Sequence, residues 1–92
     1  MEDEKRVNPD RLLLLHPGKV LPWLRRQLRL NRRAFAAWLG VPEAVVTRWE
    51  QGTSPIPIDL RRRLVPLVTR YLATEEGRDL LLTLGKGRDR DG

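Results

Sequence analysis

The chain has no cysteine and one histidine. Disulfides and thiolate metal sites are therefore excluded. His16 stands alone beside Pro17, with no second ligand for a metal, and reads as a helix terminator. Long apolar runs are also missing. Leu12 to Leu15 is a run of only four leucines, far short of a membrane span. It follows an acidic, polar start, so it does not read as a signal peptide. A cytoplasmic protein is expected, with no membrane association. No nucleophile–base pair, metal-ligand set or phosphate loop is present, so no enzyme activity and no cofactor are expected. No internal repeat and no convincing strand pattern occurs.

What is abundant is arginine. The 92 residues suggest one domain with a small core. Their formal net charge is +6, and fifteen of the eighteen basic residues are Arg. Residues 11–73 hold twelve basic and three acidic groups, while residues 1–10 and 74–92 are each slightly acidic. Positive charge in the middle of the chain favours a polyanion partner. Arg also offers the better fork for phosphate and guanine. Simple solubility is the alternative reading of the same charge.

Residues 1–10 read as a flexible tail, with Pro9-Asp10-Arg11 able to open a short helix through the leucines. His16-Pro17-Gly18 is expected to end it. A second helix is expected from Val20 or Pro22 to Arg29. It carries Leu21, Leu24 and Leu28 at helical spacing, with Arg25, Arg26 and Arg29 largely off that stripe. Residues 11–85 form the single expected domain. Asp59 to Ala73 has helical periodicity interrupted by Pro66, where either one helix kinks or two short ones meet. Thr74-Glu75-Glu76 starts a last helix through Leu84, which Gly77 should weaken. Residues 86–92 read as a polar tail.

The most informative stretch is Asn31 to Gly52. Asn31 is a good N-cap for a helix over Arg32–Leu39 that buries Phe35, Ala36 and Leu39. Gly40 accepts the left-handed conformation needed to leave that helix. Val41 turns inward. Pro42 and Glu43 then start a helix backed by Val46 and Trp49 and closed by Gly52. Glu43, Ala44, Thr47, Arg48 and Gln51 remain on the opposite face. Two short helices crossing at a small residue, with glycine at the turn, fit a helix-turn-helix. Ordinary core hairpins share the same outline.

The segments Leu30-Asn31-Arg32-Arg33-Ala34-Phe35-Ala36, Leu39-Gly40-Val41-Pro42 and Val46-Thr47-Arg48-Trp49-Glu50-Gln51-Gly52 resemble the Cro/Xre, lambda-repressor-like, helix-turn-helix family. The resemblance covers about Leu21 to Leu64. Pro55-Ile56-Pro57-Ile58-Asp59-Leu60 is similar to a subset marked W-E-x-G then I-P-x-D, which includes small phage and bacterial autoregulators, among them anti-CRISPR-associated regulators. The resemblance implies an all-α bundle of about five helices, here with extra terminal helices. It also implies a repressor that binds a palindromic double-stranded DNA operator as a homodimer.

Family roles transfer by position. The start of the first motif helix touches phosphate, implying Asn31, Arg32 and Arg33. Base contacts fall to Glu43, Ala44, Thr47 and Arg48, with Arg48 the first choice for guanine. Glu43 can accept from cytosine N4, and Ala44 can meet a thymine methyl. Gln51, Thr53 and Ser54 are placed for phosphate. The chain departs from the pattern at Pro42, which stands where a capping Ser or Thr is usual, and at Glu43 and Ala44, where Gln, Ser or Asn is common. Trp38 occupies a usually polar position and implies cover from a terminal segment or a partner subunit. Glu50 is expected to make a local hydrogen bond or ion pair rather than to contact DNA, and Arg61-Arg62-Arg63 to form a solvated helix face that could also clamp phosphate. The competing function is an antitoxin or small protein-interaction subunit that keeps the fold. Either leucine-rich flank, Leu12–Leu15 or Leu80–Leu84, could form the two-fold interface, or the two could pack on each other within one chain.

Overall fold

A computed structural model describes residues 8–89 of the chain. Residues 1–7 of the expected N-terminal tail and the last three of the C-terminal one lie outside that range. Among the described residues there are six helices and no strand: α1 (Pro9–Leu15), α2 (Pro17–Leu28), α3 (Arg32–Leu39), α4 (Glu43–Gln51), α5 (Ile58–Leu72) and α6 (Glu75–Asp89). None is long and apolar enough to cross a membrane.

The chain enters α1 through Asn8, whose side chain accepts the Arg11 N–H at 3.2 Å. Asn8 to Asp10 thus belong to the first helix and its cap, not to a tail. His16 ends α1, donating its N–H to the Leu12 carbonyl at 2.8 Å, and its own carbonyl accepts Val20 N–H at 2.9 Å. Helix α2 therefore begins at Pro17, earlier than expected from Val20 or Pro22. Pro17 supplies a helical φ and needs no amide partner at that first position.

Three helices end in the same way, on a residue with positive φ. Gly40 (φ 80°) and Gly52 (φ 75°) take that conformation freely, but Arg29 also holds it, at φ 62°. A left-handed non-glycine residue costs about 1 kcal/mol or slightly more. Leu30 N–H then bonds back to Arg25 O at 2.9 Å, as Val41 does to Ala36 O and Thr53 to Arg48 O. Helix α2 consequently stops at Leu28, and Arg29 is its cap rather than its last residue.

The core is built around α2, whose Val20, Leu21, Trp23 and Leu24 are all buried. Phe35, Ala36 and Leu39 reach it from α3, Val46 and Trp49 from α4, and Leu64 and Val68 from α5. Ile56, in the extended proline-flanked connector, is 1% exposed and joins the same core. Full burial of such side chains contributes about 1.5–3 kcal/mol each. Helix α5 runs unbroken from Ile58 to Leu72 with Pro66 inside it, on the exposed side.

Two glycines permit close backbone packing. A Cβ on Gly18 would lie 2.6 Å from the Glu50 carbonyl oxygen, so α2 and α4 meet at that point. A Cβ on Gly77 would lie 2.5 Å from Tyr71 O and Leu72 Cα, at the corner between α5 and α6. Gly77 therefore does more than weaken α6: it lets the helix turn back against α5. Thr74 holds this corner, its hydroxyl donating to Tyr71 O at 2.6 Å and accepting Gly77 N–H at 3.1 Å. In an open helix, Gly→Ala stabilises by about 0.5–1 kcal/mol. Here Gly18→Ala and Gly77→Ala are each expected to destabilise by about 1–3 kcal/mol through overpacking. Thermal melts check the sign, and a raised melting temperature would contradict the close approach.

Candidate nucleic-acid interface

Helices α3 and α4 pack against each other across the short Gly40–Pro42 turn. The back of α4 is anchored by Val46 and Trp49, exposed 0% and 2%. That fixes its outward stripe. Ala44, Arg48 and Gln51 recur at i, i+4 and i+7, with Glu43 at the helix start, and all four are exposed. Pro42 precedes α4 in extended conformation, and no side chain caps the helix. Val45 N–H bonds back to Pro42 O at 3.0 Å, which leaves the Glu43 and Ala44 N–H groups to water or to an anion at the positive end of the helix.

Behind this pair sits a carboxylate shared by two arginines. Arg25 Nε donates to Glu50 Oε2 at 2.7 Å and Arg25 Nη2 to Glu50 Oε1 at 3.2 Å. A third bond runs from Arg25 Nη1 to Leu30 O at 3.3 Å. Arg32 Nε lies 3.3 Å from Glu50 Oε1 as an ion pair, without hydrogen-bond geometry. The Glu50 side chain is 6% exposed. One buried charge therefore ties α2, the entry to α3, and α4 together. The planar fork of Arg25 fits the carboxylate bidentately. The local ion pair expected of Glu50 is present, but Arg25 turns inward rather than lying off the buried stripe.

The residues singled out from sequence divide into engaged and open groups. Arg32 is engaged: besides Glu50, its Nη1 donates to Thr47 Oγ1 at 3.3 Å. Thr47 in turn donates its hydroxyl proton to Glu43 O at 3.2 Å, so that hydroxyl is occupied on both counts. Thr53 Oγ1 donates to Arg48 O at 3.2 Å, closing the end of α4. Its hydroxyl proton is spent on the helix rather than held for an external anion. Asn31 Oδ1 accepts Ala34 N–H at 2.7 Å, which leaves its amide NH2 donors outward. Arg33, Glu43, Ala44, Arg48 and Gln51 are exposed and make no side-chain bond to a described residue, and Ser54 is half-buried and likewise unbonded.

Two placements were not foreseen. Arg29, exposed and held left-handed, stands immediately before Leu30 and Asn31 at the entry to α3. A glycine there would have signalled the turn, and arginine does not. The Arg61–Arg63 triplet is not one solvated face. Arg61 Nε donates to Asp10 Oδ1 and its Nη1 to Ile56 O, both at 2.8 Å. Arg63 Nη1 donates to Leu39 O at 3.1 Å, and its guanidinium sits 5.8 Å above the Trp38 ring. Only Arg62 is left to solvent without a partner among the described residues. Trp38 stacks on Phe35 at 6.0 Å and remains 47% exposed, so no described terminal segment covers it.

No family model, no curated protein and no solved structure matches this chain.

Proposed function

We propose that this chain is a sequence-specific double-stranded DNA-binding transcriptional regulator. In this reading it is a lambda-repressor-like helix-turn-helix protein that acts in the cytoplasm, as a homodimeric autorepressor on a palindromic operator. The observation that carries the reading is α4 itself. Its inner face is locked by Val46, Trp49 and the Glu50–Arg25 pair, while its outer face leaves Ala44, Arg48 and Gln51 open. A helix held so firmly, with an uncapped N-terminus and basic flanks, suits insertion into a major groove.

The contacts then follow from which side chains are open. Arg48 reads guanine through N7 and O6, Glu43 accepts from cytosine N4, and Ala44 packs on a thymine methyl. Arg33, the Asn31 amide, Gln51 and Ser54 take phosphates, fixing register without reading sequence. Arg32, Thr47 and Thr53 support that surface through hydrogen bonds within the chain. With so few base-reading groups, DNA shape carries much of the discrimination.

The test is a competition gel shift with duplex from upstream of the protein's own gene against random duplex, at roughly 150 mM salt. Preference for the upstream DNA is expected, and equal binding would count against the reading. Arg48→Ala should cost about 1–3 kcal/mol on the operator and relax choice at one base step. Equal loss on random DNA would make Arg48 a phosphate contact instead.

One observation favours the second reading, a protein-interaction subunit such as an antitoxin. Trp38 is half exposed beneath Arg63, and Trp and Arg are the residues most enriched at binding hot spots. A stoichiometric partner that co-purifies from the native host and survives nuclease treatment would support it.

A further inference from the structure

We propose that the groove between α1 and α5 is a self-association face, and that its occupant is a second copy of this chain. The proposal rests on the operator reading for two copies acting together, and it adds the face that joins them.

The two leucine-rich flanks are not equivalent. In α6, Leu80 is buried, Leu81 and Leu84 are half-buried, and only Leu82 points out. In α1, Leu13 is fully buried while Leu14 and Leu15 are 44% and 56% exposed. Leu14 lies one turn beyond Asp10, on the same flank of α1. That flank borders a groove of about 400 Å³ lined by Asp10, Ile58, Arg62, Val65 and Pro66. Ile58 is 50% exposed. Arg63, on the other flank of α5, reaches α3 through Leu39 and Trp38. The groove therefore opens on the side of α5 turned away from α3.

Its charges identify the occupant. Arg62 is exposed and has no ion-pair partner among the described residues. Across the groove, Asp10 gives Oδ1 to Arg61, and its side chain is still 43% exposed, so Oδ2 can accept another donor. A two-fold contact sets the same patch against itself. Arg62 of one copy then meets Asp10 of the other, twice, around a strip of Leu14, Ile58 and Val65. An apolar strip edged by both signs of charge suits neither nucleic acid nor a uniformly acidic partner, but it complements itself. An ordinary interface of about 800 Å² per partner is roughly an eighth of the 6552 Å² surface.

Sedimentation velocity without DNA tests this, on the full chain up to about 100 µM, where a micromolar dimer is nearly complete. The wild type should be a dimer. Leu14→Glu and Ile58→Glu should each weaken it at least tenfold, while Leu82→Glu should leave it unchanged. A wild-type monomer throughout, or a dimer lost only in Leu82→Glu, would overturn the proposal. Because the chain lacks cysteine, Ile58→Cys also introduces a unique thiol without adding charge. A short bis-maleimide should capture a covalent dimer through it and not through Leu82→Cys; equal yields from both would count against the groove. A chain that dimerises through the groove yet ignores DNA sinks the operator reading alone. A monomer that still binds its operator sinks this proposal and the homodimer, and leaves the DNA reading standing.

Discussion

Raising monovalent salt from about 50 to about 200 mM should weaken the proposed protein–DNA complex by roughly a thousandfold. The expectation follows from the arginines left open around α3 and α4. Arg29, Arg33 and Arg48 are exposed and have no ion-pair partner among the described residues. Arg25 and Arg32 are consumed by Glu50, and Arg61 by Asp10. With Arg29 and Arg33 on phosphate and Arg48 on guanine, about three arginine charges per subunit enter the DNA's counterion atmosphere, so a dimer displaces about six counterions. Fluorescence anisotropy over a salt series gives the slope. Arg33→Ala should reduce that slope by about one per subunit and weaken operator and random DNA alike. A flat salt dependence would mean that the positive centre of the chain serves solubility and not a polyanion.

Glu50→Ala should destabilise the fold by about 3 kcal/mol, in the range for removing one partner of a buried ion pair. The carboxylate is 6% exposed and accepts two bonds from Arg25. Its removal strands the Arg25 guanidinium, itself only 16% exposed, with the Leu30 carbonyl as its remaining partner. For a domain this size such a loss lowers the melting temperature by about 12–24 °C. Glu50→Gln keeps an acceptor and should cost less. Thermal denaturation ranks the three proteins. A melting temperature for Glu50→Ala within a few degrees of wild type would mean that the pair only decorates the surface. The same substitution bears on the proposed function, because Arg32 pairs with Glu50 and in turn donates to Thr47.

The all-helical fold was legible because its signals are local. Asn31 caps α3, Gly40 and Gly52 take the left-handed turns, and Phe35, Val46 and Trp49 recur at helical spacing. Three features were not, and two of them depend on a distant neighbour. The start of α2 at Pro17 requires Gly18, whose value lies in the α4 backbone 2.6 Å from where its Cβ would be. The turn at Arg29 lacks the glycine that marks the other two. Which of many arginines meets Glu50 is decided by how α2 packs on α4, and no local pattern encodes that. The candidate site divides along the same line. Residues open by periodicity, such as Ala44, Arg48 and Gln51, were readable as a stripe. That Arg32, Thr47 and Thr53 are drawn into internal bonds became visible only in three dimensions.

Pro42 gains a physical account from the same geometry. As a substitute for a capping Ser or Thr it is poor, since it offers no side-chain acceptor. Its φ of −65° and ψ of 148° nonetheless lead the chain cleanly into α4. The N-terminal amides of α4 stay uncapped, and Glu43 supplies the negative charge that this helix end favours. In the proposed complex with DNA, that carboxylate would have to find a base donor or be turned aside, which would make Glu43 a discriminator against wrong sequences rather than a source of affinity.

The most direct measurement is a two-dimensional 15N–1H spectrum titrated with duplex from upstream of the protein's own gene. Amide shifts should concentrate at Asn31, Arg33, Glu43, Ala44, Arg48, Gln51 and Ser54, with Thr47 following indirectly. The amides of α1 and of the Ile58–Pro66 flank of α5 should stay unmoved if the two copies are already joined. Saturating shifts centred on that flank, or no shifts at all with duplex in excess, would contradict the claim that the outer face of α4 reads DNA.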